Sequence, residues 1–428
     1  MKSYLFVTID GGGNIPPVLG LAKRLLEKGH KVYVLTEPCL EAPVKTMGLG
    51  YFSFKKHYTR TNRKEDICKD WNAKPFEKPV FENIIFGPAQ IAIEETIQVL
   101  KATPADVLVV DCLLPPVLIA GEVMDIPRVL LFHMPEYLPG PNRPPGVMGL
   151  LPGIGVLGKM RDRLLLKVFN KALNKYLPKI NDIRKSYGLA PLKNLIDLLH
   201  QADRRFIQTS EAFDFPIEPA PQNVRYVGPI LDDPDWVGKW EHPWPTGDIR
   251  PLVIVSLSTT FQNQSKVIQA CIDALSGLEV KGLVTLGMAM EDESFLLPEN
   301  VKIIKSAPHS KVFPHADLVI THGGHGTIMR ALSHGLPLIC LPMGRDQNDN
   351  AAKVAYYGCG IKLSKKSSPK KIGRAVEGIL GNLSFTAKAQ KLGNAILEDF
   401  HSERAVAELE NLALNMKKKK KSTPVGVS

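Results

Sequence analysis

DLVITHGGHGTIMRALSHGLPLICLPMGRDQNDNAAKVAYYGCG, residues Asp317–Gly360, alternates short apolar runs with glycine-rich turns. Asp317–Thr321 is a buried-strand pattern. His322-Gly323-Gly324-His325-Gly326-Thr327 follows as a tight turn, and Ile328 to His334 predicts a helix closed by Gly335. Glycines let a backbone approach an anion, and the outward amides of Gly326, Thr327 and Ile328 at a helix N-terminus would add to the favourable field of its dipole. The Thr327 hydroxyl and the His322 imidazole supply further donors, so the unit makes a seat for a diphosphate. His322 alone would be read as a satisfied core histidine. Two histidines, three glycines and a threonine between one strand and one helix favour the anion seat.

A second turn follows the strand Pro337–Leu341. It carries Gly344, Arg345, Asp346, Gln347, Asn348, Asp349 and Asn350 before a helix expected at Ala351. A carboxylate accepts from two hydroxyls and an amide both donates and accepts, so this run suits a polyhydroxylated ligand beside the phosphates. Asp and Asn also cap helices, and both roles can hold at once.

The same alternation extends through the chain. Tyr4–Ile9 leads into Gly11-Gly12-Gly13, and Leu252–Leu257 into Ser258-Thr259-Thr260. Pro16 to Lys28 reads as a helix opened by prolines and closed by Gly29; Lys31–Leu35, Val107–Val110 and Arg128–Phe132 read as strands. The last two end at Asp111 and His133, where open α/β sheets place their sites. Strands alternating with helices predict parallel sheets covered on both faces. The expected division is an N-terminal domain over 1–225, a proline- and tryptophan-rich linker over 226–251 and a second α/β domain over 252–381. C-terminal helices over 382–416, one crossing back onto the first domain, and a basic disordered tail over 417–428 complete it.

With 428 residues, 44% of them hydrophobic and 23% charged, the chain suits two globular domains with real cores. The net charge of +11 includes the lysine run Lys417–Lys421, so no nucleic-acid surface is needed to explain it. The six cysteines are scattered without ligand spacing, which fits reduced core residues in a cytoplasmic protein and no metal site. The N-terminus lacks the long apolar core of a signal peptide, and no run is long enough to span a bilayer. Pro144–Gly158 is apolar but broken by Pro and Gly, and Lys159–Lys175 alternates bases with apolar residues at helical spacing. Three roles remain open for this 144–175 segment: a mobile wall of an apolar pocket, a core-facing helix, or a peripheral membrane contact, the last of which the basic tail could share.

Four segments together resemble the UDP-glycosyltransferase-like family, closest to its bacterial natural-product and lipid glycosyltransferases. They are His-Gly-Gly-x-Gly-Thr at His322–Thr327, Gly-x-Pro at Gly335–Pro337, Asp-Gln-x-x-Asn-Ala at Asp346–Ala351, and Gly-x-Gly at Gly358–Gly360. The N-terminal GGGNIPP and the SLSTTF segment extend the likeness. The resemblance implies a GT-B fold: two Rossmann-like, doubly wound parallel-sheet domains facing a central cleft. It implies a metal-independent, inverting hexosyltransferase that needs no cofactor beyond a UDP- or dTDP-sugar co-substrate, acting on a hydroxyl of an apolar small-molecule or lipid acceptor. His322, Gly324, Gly326 and Thr327 would hold the diphosphate, Ser258 and Thr259 would approach it from the other side, and Asp346 and Gln347 would hold the sugar. His309 falls near the nucleotide base, although Ser306 and Ala307 fill a common aromatic stacking position, leaving uridine and thymidine both open. Ile15, His133 and Met148 are the expected acceptor contacts.

The family's usual base is a histidine at the start of the first helix, oriented by an aspartate. Here the matching positions hold Asn14 and Asp111. An amide does not titrate near neutral pH, so Asn14 can orient an acceptor but cannot take its proton. Three expectations follow, in order: Asp111 accepts the proton, directly or through water; another group such as His133 or Asp10 does; or the protein is a non-catalytic nucleotide-sugar-binding helper. A dinucleotide oxidoreductase using Glu37 for ribose is disfavoured, because Pro16 occupies the third glycine position of GxGxxG. An epimerase would need no acceptor pocket.

Overall fold

A computed structural model describes residues 1–63, 67–68, 78–140, 143–215, 218–233, 240–245, 247–258, 264–287, 290 and 293–422. Seven strands form the first sheet: β1 (Ser3–Val7), β2 (Lys31–Thr36), β3 (Gly50–Ser53), β4 (Val107–Asp111), β5 (Arg128–Phe132), β6 (Arg204–Ile207) and β7 (Val224–Tyr226). Their order is β3-β2-β1-β4-β5-β6-β7, and every neighbouring pair is parallel. Six more form the second: β8 (Leu252–Ser256), β9 (Lys281–Thr285), β10 (Val301–Ile304), β11 (Leu318–Thr321), β12 (Leu338–Cys340) and β13 (Gly360–Lys362). Their order is β10-β9-β8-β11-β12-β13, again parallel throughout.

Both sheets are buried on both faces. Along β1, Leu5 and Val7 join one core, while Tyr4 and Phe6 join the other with Ile15, Leu19 and Ala22 of the helix Ile15–Glu27. Alternate side chains of a strand point to opposite faces, so a run that is apolar throughout needs cover on each. The strand order reverses between β1 and β4, and between β8 and β11. At such switch points the outgoing loops diverge and leave a crevice. Loops from β1, β4, β5, β8, β11 and β12 meet in one cleft between the sheets.

The helix Leu383–His401 packs on the second sheet's side, and the chain then returns. Ala405, Val406, Leu409 and Ala413 of the helix Arg404–Ser422 enter the Tyr4–Phe6 core, and Glu408 accepts from Arg204 and Arg225 at 2.9 and 3.2 Å. The helix Arg404–Ser422 takes in the lysine run Lys417–Lys421, and residues 423–428 of the expected tail lie outside the described residues. Lysine is a good helix former, and no glycine or proline interrupts the run. Among the described residues no helix is long and apolar enough to cross a membrane.

Candidate active site

The diphosphate-seat turn leaves β11 at Thr321. Its helix spans His325–Ser333, three residues earlier than expected, because Gly324 takes an extended conformation and its carbonyl accepts from the Ile328 amide at 3.1 Å. The Ile328 amide is therefore consumed inside the helix. The first-turn amides without an intrahelical acceptor are those of His325, Gly326 and Thr327. The His322 ring lies against Gly324, where a Cβ would come within 2.6 Å of Nε2, so the turn needs glycine there. Burial, helped by the charge of Arg345, pushes His322 down to about 4.

This turn is locked to the next one. Gly323 has a φ of +93°, a conformation open to glycine, and its carbonyl accepts from Asn350 Nδ2 at 3.0 Å. The helix after β12 runs Gln347–Tyr356, so Gln347 to Asn350 already lie in its first turn rather than ahead of Ala351. Gln347 Oε1 accepts from the amides of Met343 and Gly344 at 2.8 and 3.1 Å, which commits that oxygen to the turn. Asp346 accepts from Asn350 at 2.7 Å and lines the cleft. Arg345, to which the sequence assigned no role, has a φ of 54° and reaches across to donate to Gly11 O at 2.7 Å. Its signal was its position, the one cation directly before the Asp-Gln pair. On the β8 side Ser258 lines the cleft, and Thr259 lies outside the described residues. His309 stacks on Phe313 at 4.3 Å with its Nε2 3.5 Å from Ser256 Oγ, and burial pushes it down to about 3.

Facing this turn are the ends of β1, β4 and β5. Asp111 is 1% exposed and saturated. Its Oδ2 accepts from Thr8 Oγ1 at 2.7 Å and from Asn14 Nδ2 at 2.8 Å; its Oδ1 accepts from the Leu113 amide at 2.9 Å and lies 3.5 Å from His133 Nδ1. Asn14 is equally committed. Nδ2 also donates to Ile9 O at 2.8 Å, and Oδ1 accepts from the Gly11 amide at 2.9 Å. The Asn14 amide thus ties the loop after β1 to Asp111 and has no donor left for an acceptor molecule. Burial pushes the Asp111 carboxyl up, but His133, Asn14 and the Leu113 amide outweigh it and hold the group below the usual range. Burial pushes His133 down, but the Cys112 sulfur and the Asp111 carboxylate push it well above the ordinary histidine value. Asp111, Cys112 and His133 offer ligand atoms within 4.8 Å of one another, yet both carboxylate oxygens already accept hydrogen bonds, which fits an ion-pair hub better than a metal site. Asp10 is paired with Arg63 at 2.7 Å, and Glu37 with Arg60 and the Asp10 amide, so neither faces a ligand unpaired.

Residues 269–412 match the family model for the Erythromycin biosynthesis protein CIII-like C-terminal domain. The chain is 26% identical over 399 residues to 4'-demethylrebeccamycin synthase of Lentzea aerocolonigenes, covering 91% of this chain and 94% of that one. It is 26% identical over 368 residues to demethyllactenocin mycarosyltransferase of Streptomyces fradiae, covering 84% and 75%. The solved calicheamicin glycosyltransferase superposes with a TM-score of 0.73 at 20% identity, covering 99% and 100%, which shows the GT-B fold. These likenesses support the resemblance to UDP-glycosyltransferase-like proteins of the bacterial natural-product type.

This glycosyltransferase keeps an apolar chamber next to His133, part of a cleft of about 400 Å³. The chamber walls are assembled from distant segments: Phe81, Ile85 and Phe86, then Phe169 and Leu173, then Leu199. Two expected acceptor contacts fall elsewhere. Ile15 is fully buried in the core beneath β1, because the first turn of its helix points that side chain at the sheet. Met148 is 51% exposed and outside the cleft lining; the neighbouring Gly146 and Val147 line it instead. Asp349 of the second domain accepts from the amides of Val147 and Gly149, pinning this stretch across the cleft. The helix Gly155–Asn174 that follows turns Phe169 and Leu173 to the chamber.

Proposed function

We propose that this glycosyltransferase moves a hexose from a UDP- or dTDP-linked donor to a hydroxyl of an apolar small-molecule or lipid acceptor, with inversion and without metal, and that His133 is the base. The observation that carries this is the His133 Nδ1 to Asp111 Oδ1 separation of 3.5 Å, with His133 lining the same cleft as the diphosphate seat and the apolar side chains. Nδ1 facing a carboxylate leaves Nε2, at the far edge of the ring, as the proton acceptor. Asp111, saturated and held ionised, orients His133 and stabilises its cation rather than taking the proton itself.

In the reaction the acceptor oxygen attacks the anomeric carbon as its proton passes to His133 Nε2 and the bond from that carbon to the diphosphate oxygen breaks. The leaving charge falls on the His325, Gly326 and Thr327 amides, the Thr327 hydroxyl and His322, a preorganised set that does this without a cation. Asp346 holds the sugar hydroxyls. Gln347 lines the cleft beside it, its oxygen held by the turn. His309 and Ser258 flank the nucleotide.

The test is incubation with UDP- and dTDP-hexoses and a panel of apolar hydroxyl acceptors, following nucleoside diphosphate release and the glycosylated product by mass spectrometry. Product in the presence of a chelator, lost in His133→Ala, is the expected result. Absence of release with every pair would leave a binding helper as the better description.

A further inference from the structure

We infer that the outer face of the helix Gly155–Asn174 docks on an anionic lipid surface. Its inner face serves the acceptor chamber through Phe169 and Leu173. On the outer face Leu157, Met160, Leu164 and Val168 follow at spacings of three, four and four residues, which places them in one stripe. Leu157 is 83%, Leu164 63% and Val168 57% exposed, and Ile154 just before the helix is 92% exposed. A stripe of large apolar side chains kept in water on one element is uncommon and marks a contact surface.

The charges on this helix say what covers it. Lys159, Arg161, Arg163, Lys167 and Lys171 are all exposed, and the one acid, Asp162, is buried, taking the Gly153 amide and Arg161. An apolar stripe flanked only by cations fits the boundary of acyl chains and anionic headgroups, where the apolar face sinks and the bases stay at the phosphates. A second copy of this chain on the same face would set cations against cations. A nucleic acid would use the bases and leave the stripe in water. The inference is independent of which residue is the base.

The experiment is sedimentation of the full chain with phosphatidylcholine vesicles, with and without about one-third phosphatidylglycerol. Binding should appear with the anionic lipid and weaken as salt rises. The variant Leu157→Ser/Leu164→Ser/Val168→Ser should bind about tenfold more weakly or worse, with unchanged melting temperature and unchanged turnover of a water-soluble acceptor. That variant keeps Lys417–Lys421, so binding carried by the lysine run would survive in it. No anionic-lipid binding, undiminished binding by the variant, or light scattering showing a dimer that the variant dissolves would each overturn the inference. Sedimentation is read without turnover, so a failure here and a failure of the proposed reaction are separable.

Discussion

Asn14 donates to Asp111 Oδ2 at 2.8 Å, on the opposite carboxylate oxygen from the one that faces His133 at 3.5 Å. One aspartate therefore serves two positions: the one where the family usually carries its base, now a neutral tether, and one at the end of the neighbouring strand that can titrate. On the proposed reading, Asn14 leaves a dyad in place with its histidine moved to the end of β5.

The two positions should separate under mutation. His133→Ala removes the proton acceptor and should lower turnover by roughly 100-fold or more, the scale of a lost general base. Asn14→Ala leaves the Gly11 amide without its acceptor and Asp111 without one donor. An unmet buried partner costs about 1–3 kcal/mol, so this variant should lose melting temperature more than His133→Ala does while keeping more of its rate. Paired melting curves and initial rates decide it. A rate collapse in Asn14→Ala with His133→Ala near wild type would reverse the assignment.

Much of the turn after β11 was legible because its structure is local. Strand, glycines, donors and helix start follow one another in about ten residues, and a strand-to-helix turn can be read without knowing its neighbours. The error there was one of phase: Gly324 proved able to open the helix, so the available amides begin at His325. The dyad needed one fact more. Asp111 pairs with Leu131 across β4 and β5, and His133 lies two residues on, so it falls on the face of Asp111. Register between strands is not written in either strand alone. The chamber was illegible because it gathers side chains from three separate segments. Ile15 and Met148 neighbour cleft-lining residues in the sequence, but neighbours along a helix or loop face different ways.

Donor binding should divide between two residues. His322→Ala should weaken the free nucleoside diphosphate, since the ring stands against Gly324 at the phosphate turn. Asp346→Ala should leave that ligand nearly untouched and cripple use of the intact sugar donor. Calorimetry with the diphosphate and with the donor separates the two. Equal affinity for the diphosphate in parent and both variants would place the phosphates elsewhere.

The second domain should be acid-labile. Burial is the main cause that pushes His309, His322 and His325 down to about 3, about 4 and about 3. Below the ordinary histidine value of about 6.5 the unfolded chain takes up protons that the folded chain refuses, so stability rises with pH across this window. What is present at neutral pH is lost as pH falls from about 6.5 toward 4. The melting temperature should drop between about pH 7 and pH 5, and His325→Gln should make the fall shallower. A flat profile would mean that these rings stay accessible to protons in the folded state.

The rate should fail on the acid side for a different histidine. Burial pushes His133 down, but the Cys112 sulfur and the Asp111 carboxylate raise it by more, so it titrates well above the ordinary value. A base works only when neutral, and each pH unit below its pKa removes about nine-tenths of the neutral form. The acid limb of kcat/KM should therefore lie above about 6.5, where an unperturbed imidazole would put it. Asp111→Asn keeps the shape and removes the charge. Burial then meets less opposition, and the limb should move toward lower pH even as the maximal rate falls, since the His133 cation loses its stabilising partner. A limb that stays in place in Asp111→Asn would show that the titrating base is not His133, whatever the size of the rate loss.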